Sequence, residues 1–159
     1  MKRKYLSFVL LLAAVALVAG CGKSNYPKAP EAGNTSTNPN AIPYLMASNY
    51  FVRNSVLPSV TISKRIDTKT EFDEYFGVAT TMGSQPTAID FDKQYVLAVI
   101  LPETNDATTL KVANVTSYRG IITLSYNREV GQEQTFTVRP LLLVLVDRKY
   151  SGEVLIVEK

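Results

Sequence analysis

Two uninterrupted apolar runs stand out in the sequence: YVLAVIL at residues 95–101 and LLLVLV at residues 141–146. Runs of this length without polar interruption are typical of strands that are covered on both faces. We therefore expect these two segments to be the central strands of a sheet.

The segment between the two runs has the pattern of a β-hairpin. Residues 109–118 and 121–127 are separated by Arg119-Gly120, a short connection with the glycine that tight hairpin turns favour. The alternation of apolar residues in the first arm changes phase between Val112 and Val115, which predicts a β-bulge.

Four further segments mix β-branched, aromatic and polar residues in the manner of half-exposed strands. We predict a mainly β fold, namely an antiparallel sandwich or open barrel of about eight strands with one short helix. These further segments are residues 49–56, 59–66, 134–139 and 153–158.

The predicted helix follows a capping box in which Thr68 precedes Glu71 by three residues. Three aromatic residues follow at helical spacing, and we interpret them as packing residues rather than a ligand platform. Gly77 stands where a helix of this length would end. The three aromatic residues are Phe72, Tyr75 and Phe76.

The N-terminus has the features of an export signal. Lys2-Arg3-Lys4 precede an apolar run at residues 8–19, which at 12 residues is too short to span a bilayer. The next residues, Val18-Ala19-Gly20-Cys21, resemble the lipobox of bacterial lipoproteins. The resemblance implies that Cys21 becomes the acylated first residue of the mature protein, held in the membrane by its lipid chains.

These features predict three parts of the chain. Residues 1–20 are a lipoprotein signal peptide, residues 21–43 are the lipidated Cys and a flexible tether rich in Pro, Asn, Ser and Thr, and residues 44–159 are a single β-rich domain. Gly22, rather than Asp, follows the lipidated Cys, and the resemblance then implies anchoring in the outer membrane. The domain would face either the periplasm or the exterior.

Composition excludes several kinds of chemistry. The chain has no His and its only Cys is Cys21, so His-dependent nucleophiles and zinc sites that need imidazole are excluded. Without Lys2, Arg3 and Lys4, the 17 basic residues become 14, which equals the 14 acidic residues, so no basic surface for nucleic acid is expected. We predict no catalytic residues and no cofactor, and therefore not an enzyme.

Two groups of carboxylates were considered as metal sites. One is Asp90 with Asp92, expected on a strand edge, and the other is Glu71 with its helical neighbours Asp73 and Glu74. Neither has the spacing that gathers six to eight oxygen ligands for calcium. We predict no metal site, since acidic residues at a helix start and on the surface explain both groups.

Residues 91–159, with Tyr95-Val96-Leu97-Ala98-Val99 and Pro140-Leu141-Leu142-Leu143-Val144, resemble the C-terminal domain of protease-complex accessory lipoproteins of the PrcB type. The layout of lipobox, tether and small β domain is also similar to lipoprotein inhibitors that bacteria pair with secreted cysteine proteases. Both resemblances imply a non-catalytic domain that binds a protein partner, a protease in particular. The alternative is a structural or assembly lipoprotein of the outer membrane.

Binding residues usually lie on the loops of a rigid scaffold. Among the predicted loops, Thr81-Met82-Gly83-Ser84 is best suited to a protease groove because it is small, uncharged and has one apolar side chain beside a glycine. We therefore predict that these four residues contact a secreted cysteine protease, although a simple connection explains the same composition. The predicted loops are residues 80–86, 102–107, 127–132 and 147–152.

Overall fold

A computed structural model describes residues 32–33, 37–80 and 83–159. Residues 1–20, which are predicted to be a signal peptide, and Cys21 lie outside the described residues. The described elements are β1 (Ala32–Gly33), β2 (Tyr44–Met46), β3 (Tyr50–Val52), β4 (Ile62–Ile66), α1 (Lys69–Tyr75), β5 (Phe76–Val78), β6 (Gln94–Ile100), β7 (Thr104–Tyr118), β8 (Ile121–Val138), β9 (Leu141–Asp147) and β10 (Glu153–Glu158).

The strands form a mainly β sandwich, as the sequence predicts, and the described strands do not close into a barrel. A five-stranded sheet has the order β1-β2-β9-β6-β4, and a three-stranded sheet has the order β10-β8-β7. A small pair, β3 with β5, lies with α1 on the far side of the five-stranded sheet.

The two apolar runs are central strands, β6 and β9, which pair antiparallel with each other. Their alternate side chains enter two different cores. Val99 packs between the two large sheets, whereas Leu143 packs under α1 and the small pair, and both are almost fully buried. The prediction that both faces of these strands are covered is confirmed.

The predicted hairpin is confirmed. Tyr118 pairs with Ile121, and the two residues between them, Arg119 and Gly120, have φ of 51° and 77°. Two consecutive positive φ values are characteristic of the type I′ turn that matches the twist of the strands. The predicted bulge is also present, because the register shifts between Val112 and Asn114.

The hairpin arms extend well beyond the predicted strands. Residues 104–107 belong to β7 and residues 127–132 belong to β8, so the prediction that these segments are loops was wrong. Residues 134–138 continue β8 rather than forming a separate strand. Most side chains in this part of β8 are exposed on both faces of the strand. The sequence here therefore lacks the alternation of apolar and polar residues by which a strand is recognised.

The helix begins as predicted. The Thr68 hydroxyl accepts a 3.2 Å hydrogen bond from the Glu71 backbone N–H, and Phe72 and Phe76 are buried packing residues. The helix also ends where predicted, because Phe76 is its C-cap and Gly77 follows directly. Gly77 does not adopt the positive φ of a glycine cap, however, and lies within β5. A Cβ there would come within 3 Å of the Phe51 ring, so the glycine permits this close approach.

One side of the sandwich is closed by residues 40–46, here called the strap. Ser117 donates its N–H to the Asn40 carbonyl and Ile42 donates its N–H to the Val115 carbonyl, which holds the strap along β7. The strap then continues as β2, paired with β9 of the other sheet. Ala32–Gly33 and part of the strap fall within the segment that the sequence assigns to the tether.

The opposite side of the sandwich ends in two edge strands. In the part of the chain that the structure describes, β4 pairs with β6 alone and β10 pairs with β8 alone. The β10 pairing is parallel, in contrast to the antiparallel pairing elsewhere in both large sheets. β4 and β10 therefore face each other across an open side without pairing.

Candidate functional site

The predicted partner-binding residues are only partly within the described chain. Thr81 and Met82 lie outside it, whereas Gly83 is exposed and Ser84 is half-buried. Gly83 has φ of 96°, and no described atom beyond its chain neighbours lies within 4 Å of the position that a Cβ would occupy. As far as the described residues go, the space around Gly83 is open.

Asn49 holds both stems of this loop. Its carbonyl accepts a 2.9 Å hydrogen bond from the Ala79 N–H, and its side-chain amide donates a 2.6 Å hydrogen bond to the Gln85 carbonyl. Asn49 has φ of 64°, a left-handed conformation that Asn tolerates better than most residues. This role was not predicted, because Asn49 was assigned to a strand at residues 49–56, whereas the strand begins at Tyr50.

Ser48 and Thr87 reinforce the base of the loop. The Ser48 N–H donates to the Thr87 hydroxyl at 3.0 Å, and the Thr87 N–H donates to the Ser48 carbonyl at 3.2 Å. Thr87 is one of the two buried polar residues among those described. The loop stems are thus fixed to the scaffold by side-chain and backbone hydrogen bonds.

The other predicted loops do not gather at one end of the sandwich. Residues 147–152 form a turn beside the hairpin turn, where the Glu153 N–H donates to the Gly120 carbonyl. Pro102 follows the opposite end of β6, at the Ile100–Leu141 pairing. The predicted loops therefore lie at both ends of the sheet.

A second feature is a groove of about 440 Å³ between β4 and β10. One wall is Ser63, Lys64 and Arg65, and the other wall is Gly152, Val154 and Ile156. This volume is within the range of roughly 300–1,000 Å³ that is common for ligand sites. The groove has no local sequence pattern, because its two walls are more than 80 residues apart along the chain.

Arg65 is held in the groove by two contacts. Its guanidinium lies 3.9 Å from the centre of the Tyr95 ring, a cation–π contact. Its Nε and Nη2 donate to the Asp67 carboxylate at 2.9 Å and 2.8 Å. Its Nη1 has only a 3.5 Å contact with the Gly152 carbonyl, which leaves donor capacity on that nitrogen.

Asp67 also binds a second guanidinium, that of Arg148, at 3.1 Å. Burial raises the pKa of the Asp67 carboxyl, while its hydrogen bonds and charge interactions with Arg65 and Arg148 lower it, and the net shift of the pKa is downward. One carboxylate thus pairs with two guanidinium groups beside the groove.

The carboxylates considered as metal sites have other partners. Asp90 precedes β6 in a turn rather than on a strand edge, and it accepts hydrogen bonds from the Asp92 N–H and the Lys93 ammonium. Glu71 forms a 2.6 Å ion pair with Lys64. Over residues 32–33, 37–80 and 83–159, no group of three or more His, Cys, Asp or Glu residues is arranged to hold a metal ion.

Comparisons with known proteins give no relative. The chain matches no protein-family model, no curated protein and no solved structure. Among the described residues, no helix combines the length and apolar character needed to cross a membrane.

Proposed function

We propose that this chain is a non-catalytic, lipid-anchored protein of the outer membrane that binds a protein partner, as a protease inhibitor or as a protease accessory subunit. The observation that carries the proposal is the loop whose stems are held by Asn49. A segment fixed at its base and open around Gly83 is suited to recognition, because a pre-organised loop loses little conformational entropy on binding.

The proposed contact is the segment Thr81-Met82-Gly83-Ser84 in the cleft of a secreted cysteine protease. Gly83 has no Cβ, so catalytic groups of a protease can approach its backbone closely. A large side chain at this position would occupy the space that the partner needs. The lipidated Cys21 and the tether would keep the domain at the membrane while the loop meets its partner.

The test compares inhibition by three forms of the detergent-solubilised full-length chain: wild type, Gly83→Leu and Gly120→Leu. Gly120 is the matched control because it is also exposed, has positive φ and has open space around the Cβ position. We expect wild type and Gly120→Leu to inhibit cysteine proteases secreted by the source bacterium, and Gly83→Leu to be at least about tenfold weaker.

Unimpaired proteolysis at excess wild-type chain would contradict the inhibitor role. Equal potency of wild type and Gly83→Leu would contradict the proposed contact instead. Co-purification of an intact, active protease with the wild-type chain would support the accessory role.

The alternative function is a structural or assembly lipoprotein. It is favoured by an apolar patch on the outer face of the three-stranded sheet, where Tyr118, Ile121, Leu155 and Val157 are exposed. Patches of this kind often mark protein interfaces. Affinity purification that recovers envelope assembly proteins and no protease would support this alternative.

A further inference from the structure

The backbone of β10 offers unused hydrogen-bonding groups to the groove. Glu153 and Lys159 donate their N–H groups to the Gly120 and Tyr126 carbonyls of β8, so the odd-numbered residues of β10 are those bonded to β8. The N–H and C=O groups of Val154 and Ile156 therefore point away from β8. These are the two apolar residues that line the groove.

The strap shows how an extended segment joins the two large sheets of this fold. Its residues 40–42 bond to β7 of one sheet, and its residues 45–46 bond to β9 of the other. On the opposite side of the sandwich, β4 and β10 are likewise the edge strands of the two large sheets. Among the described residues, no extended segment joins them as the strap joins β7 and β9. An extended peptide placed there would pair with an edge that no described segment pairs with.

One side-chain donor of the groove favours a carboxylate on the bound peptide. Both cations of the lining already pair with a carboxylate, Lys64 with Glu71 and Arg65 with Asp67. Arg65 nevertheless retains donor capacity at Nη1.

We propose that the groove between β4 and β10 binds an extended segment of a partner protein, which adds as a strand to the edge of β10 and places an Asp or Glu carboxylate against Arg65 Nη1. The carboxylate would form a charge-assisted hydrogen bond, and backbone bonds to Val154 and Ile156 would fix the register. This site is distinct from the Gly83 loop and adds a second mode of binding to the proposed function.

The test uses a random nonapeptide library displayed on phage, selected against the full-length chain in detergent micelles. We expect enrichment of peptides with alternating β-branched residues and one acidic position. Three synthetic forms of the best peptide are then titrated by fluorescence anisotropy: the parent, the form with Lys at the acidic position, and a form N-methylated at alternate amides. We expect both changes to weaken binding by at least about tenfold.

Protein variants locate the contact. Arg65→Gln should weaken binding of the parent peptide to the level of the Lys-substituted peptide. Lys111→Gln removes an exposed cation on β7, at the opposite edge of the three-stranded sheet from β10, and should leave the affinity unchanged. The peptide comparison uses unaltered protein, so it remains decisive if Arg65→Gln fails to fold. Gly83→Leu should leave peptide binding unchanged, so failure of this proposal and failure of the inhibitor role are distinguishable.

Several results would overturn the proposal. These are the absence of any enriched peptide, equal affinity for the acidic and Lys-substituted peptides, and binding that tolerates N-methylation. Sedimentation showing a stable dimer with β10 amides protected from hydrogen exchange would assign the edge to a second copy instead. Selective binding to anionic vesicles rather than peptides would also overturn it.

Discussion

At Asp67, one carboxylate binds the guanidinium groups of both Arg65 and Arg148. Because these cations lower the pKa of Asp67 below its ordinary value of 3.8, the carboxylate stabilises the fold above that pH, and the stabilisation is lost as the pH falls through the folded-state pKa. The side chain is 42% exposed, so solvent screening keeps the contribution to about 1 kcal/mol or less.

We expect Asp67→Asn to lower the free energy of unfolding at pH 7, and the difference from wild type to shrink as the pH falls below 3.8. Urea unfolding of both proteins at several pH values measures this. The control is Asp147→Asn, which removes a carboxylate whose 3.6 Å pair with Lys149 is exposed. If the difference in the free energy of unfolding between wild type and Asp67→Asn grows toward low pH, the stabilising role assigned to the ionised Asp67 carboxylate is contradicted.

Cys21 is the residue on which the proposed localisation depends. We expect Cys21→Ser to abolish lipidation, because the lipid would be attached to the Cys21 sulfur. The variant should then be either uncleaved or soluble. Metabolic labelling with a fatty acid and membrane fractionation measure this. If the variant is recovered with the outer membrane in the same proportion as wild type, the lipobox interpretation is refuted.

At the scale of elements, α1 is a seven-residue helix whose start depends on a single cap. Thr68→Ala removes the acceptor for the Glu71 N–H, so we expect a loss of about 1 kcal/mol in the free energy of unfolding. Thr70→Ala, in the exposed first turn, is the control and should be neutral or slightly stabilising. Equal effects of the two changes would show that the cap contributes nothing.

The elements that the sequence predicts well are those defined by local chemistry. The turn at Arg119-Gly120, the bulge after Val112 and the cap at Thr68 each depend on residues within a few positions of one another. The helix end before Gly77 was also predicted, whereas the close approach of the Phe51 ring to Gly77 was not, because Phe51 belongs to another strand. The outer part of β8 was missed because both of its faces are exposed.

At the scale of the whole molecule, stability depends on the five-stranded sheet that separates the two cores. Leu143 is 1% exposed beneath α1, so we expect Leu143→Ala to cost about 2–5 kcal/mol through lost contacts and a cavity. Leu155→Ala, at a position 51% exposed, should change stability by about 0.5 kcal/mol or less. Thermal and urea unfolding of both variants measure this.

A melting curve for Leu143→Ala that coincides with wild type would contradict the central position of β9. A large effect of Leu155→Ala would show instead that the outer face of the three-stranded sheet is covered in solution. The second outcome would strengthen the case for an assembly partner on that face.

The apolar runs at residues 95–101 and 141–146 were enough to predict a β fold with a doubly covered central sheet, because burial on both faces leaves a direct mark on composition. The order of the strands in the sheets has no corresponding effect on local composition. The meeting of Asp67 with Arg148, 81 residues apart, and the parallel pairing of β10 with β8 arise only when the sheets assemble. The strap closes one side of the sandwich, and the groove lies on the other side. Both features depend on which strands lie at the edges of the two large sheets. The edge strands are determined by long-range strand pairing rather than by the local residue pattern.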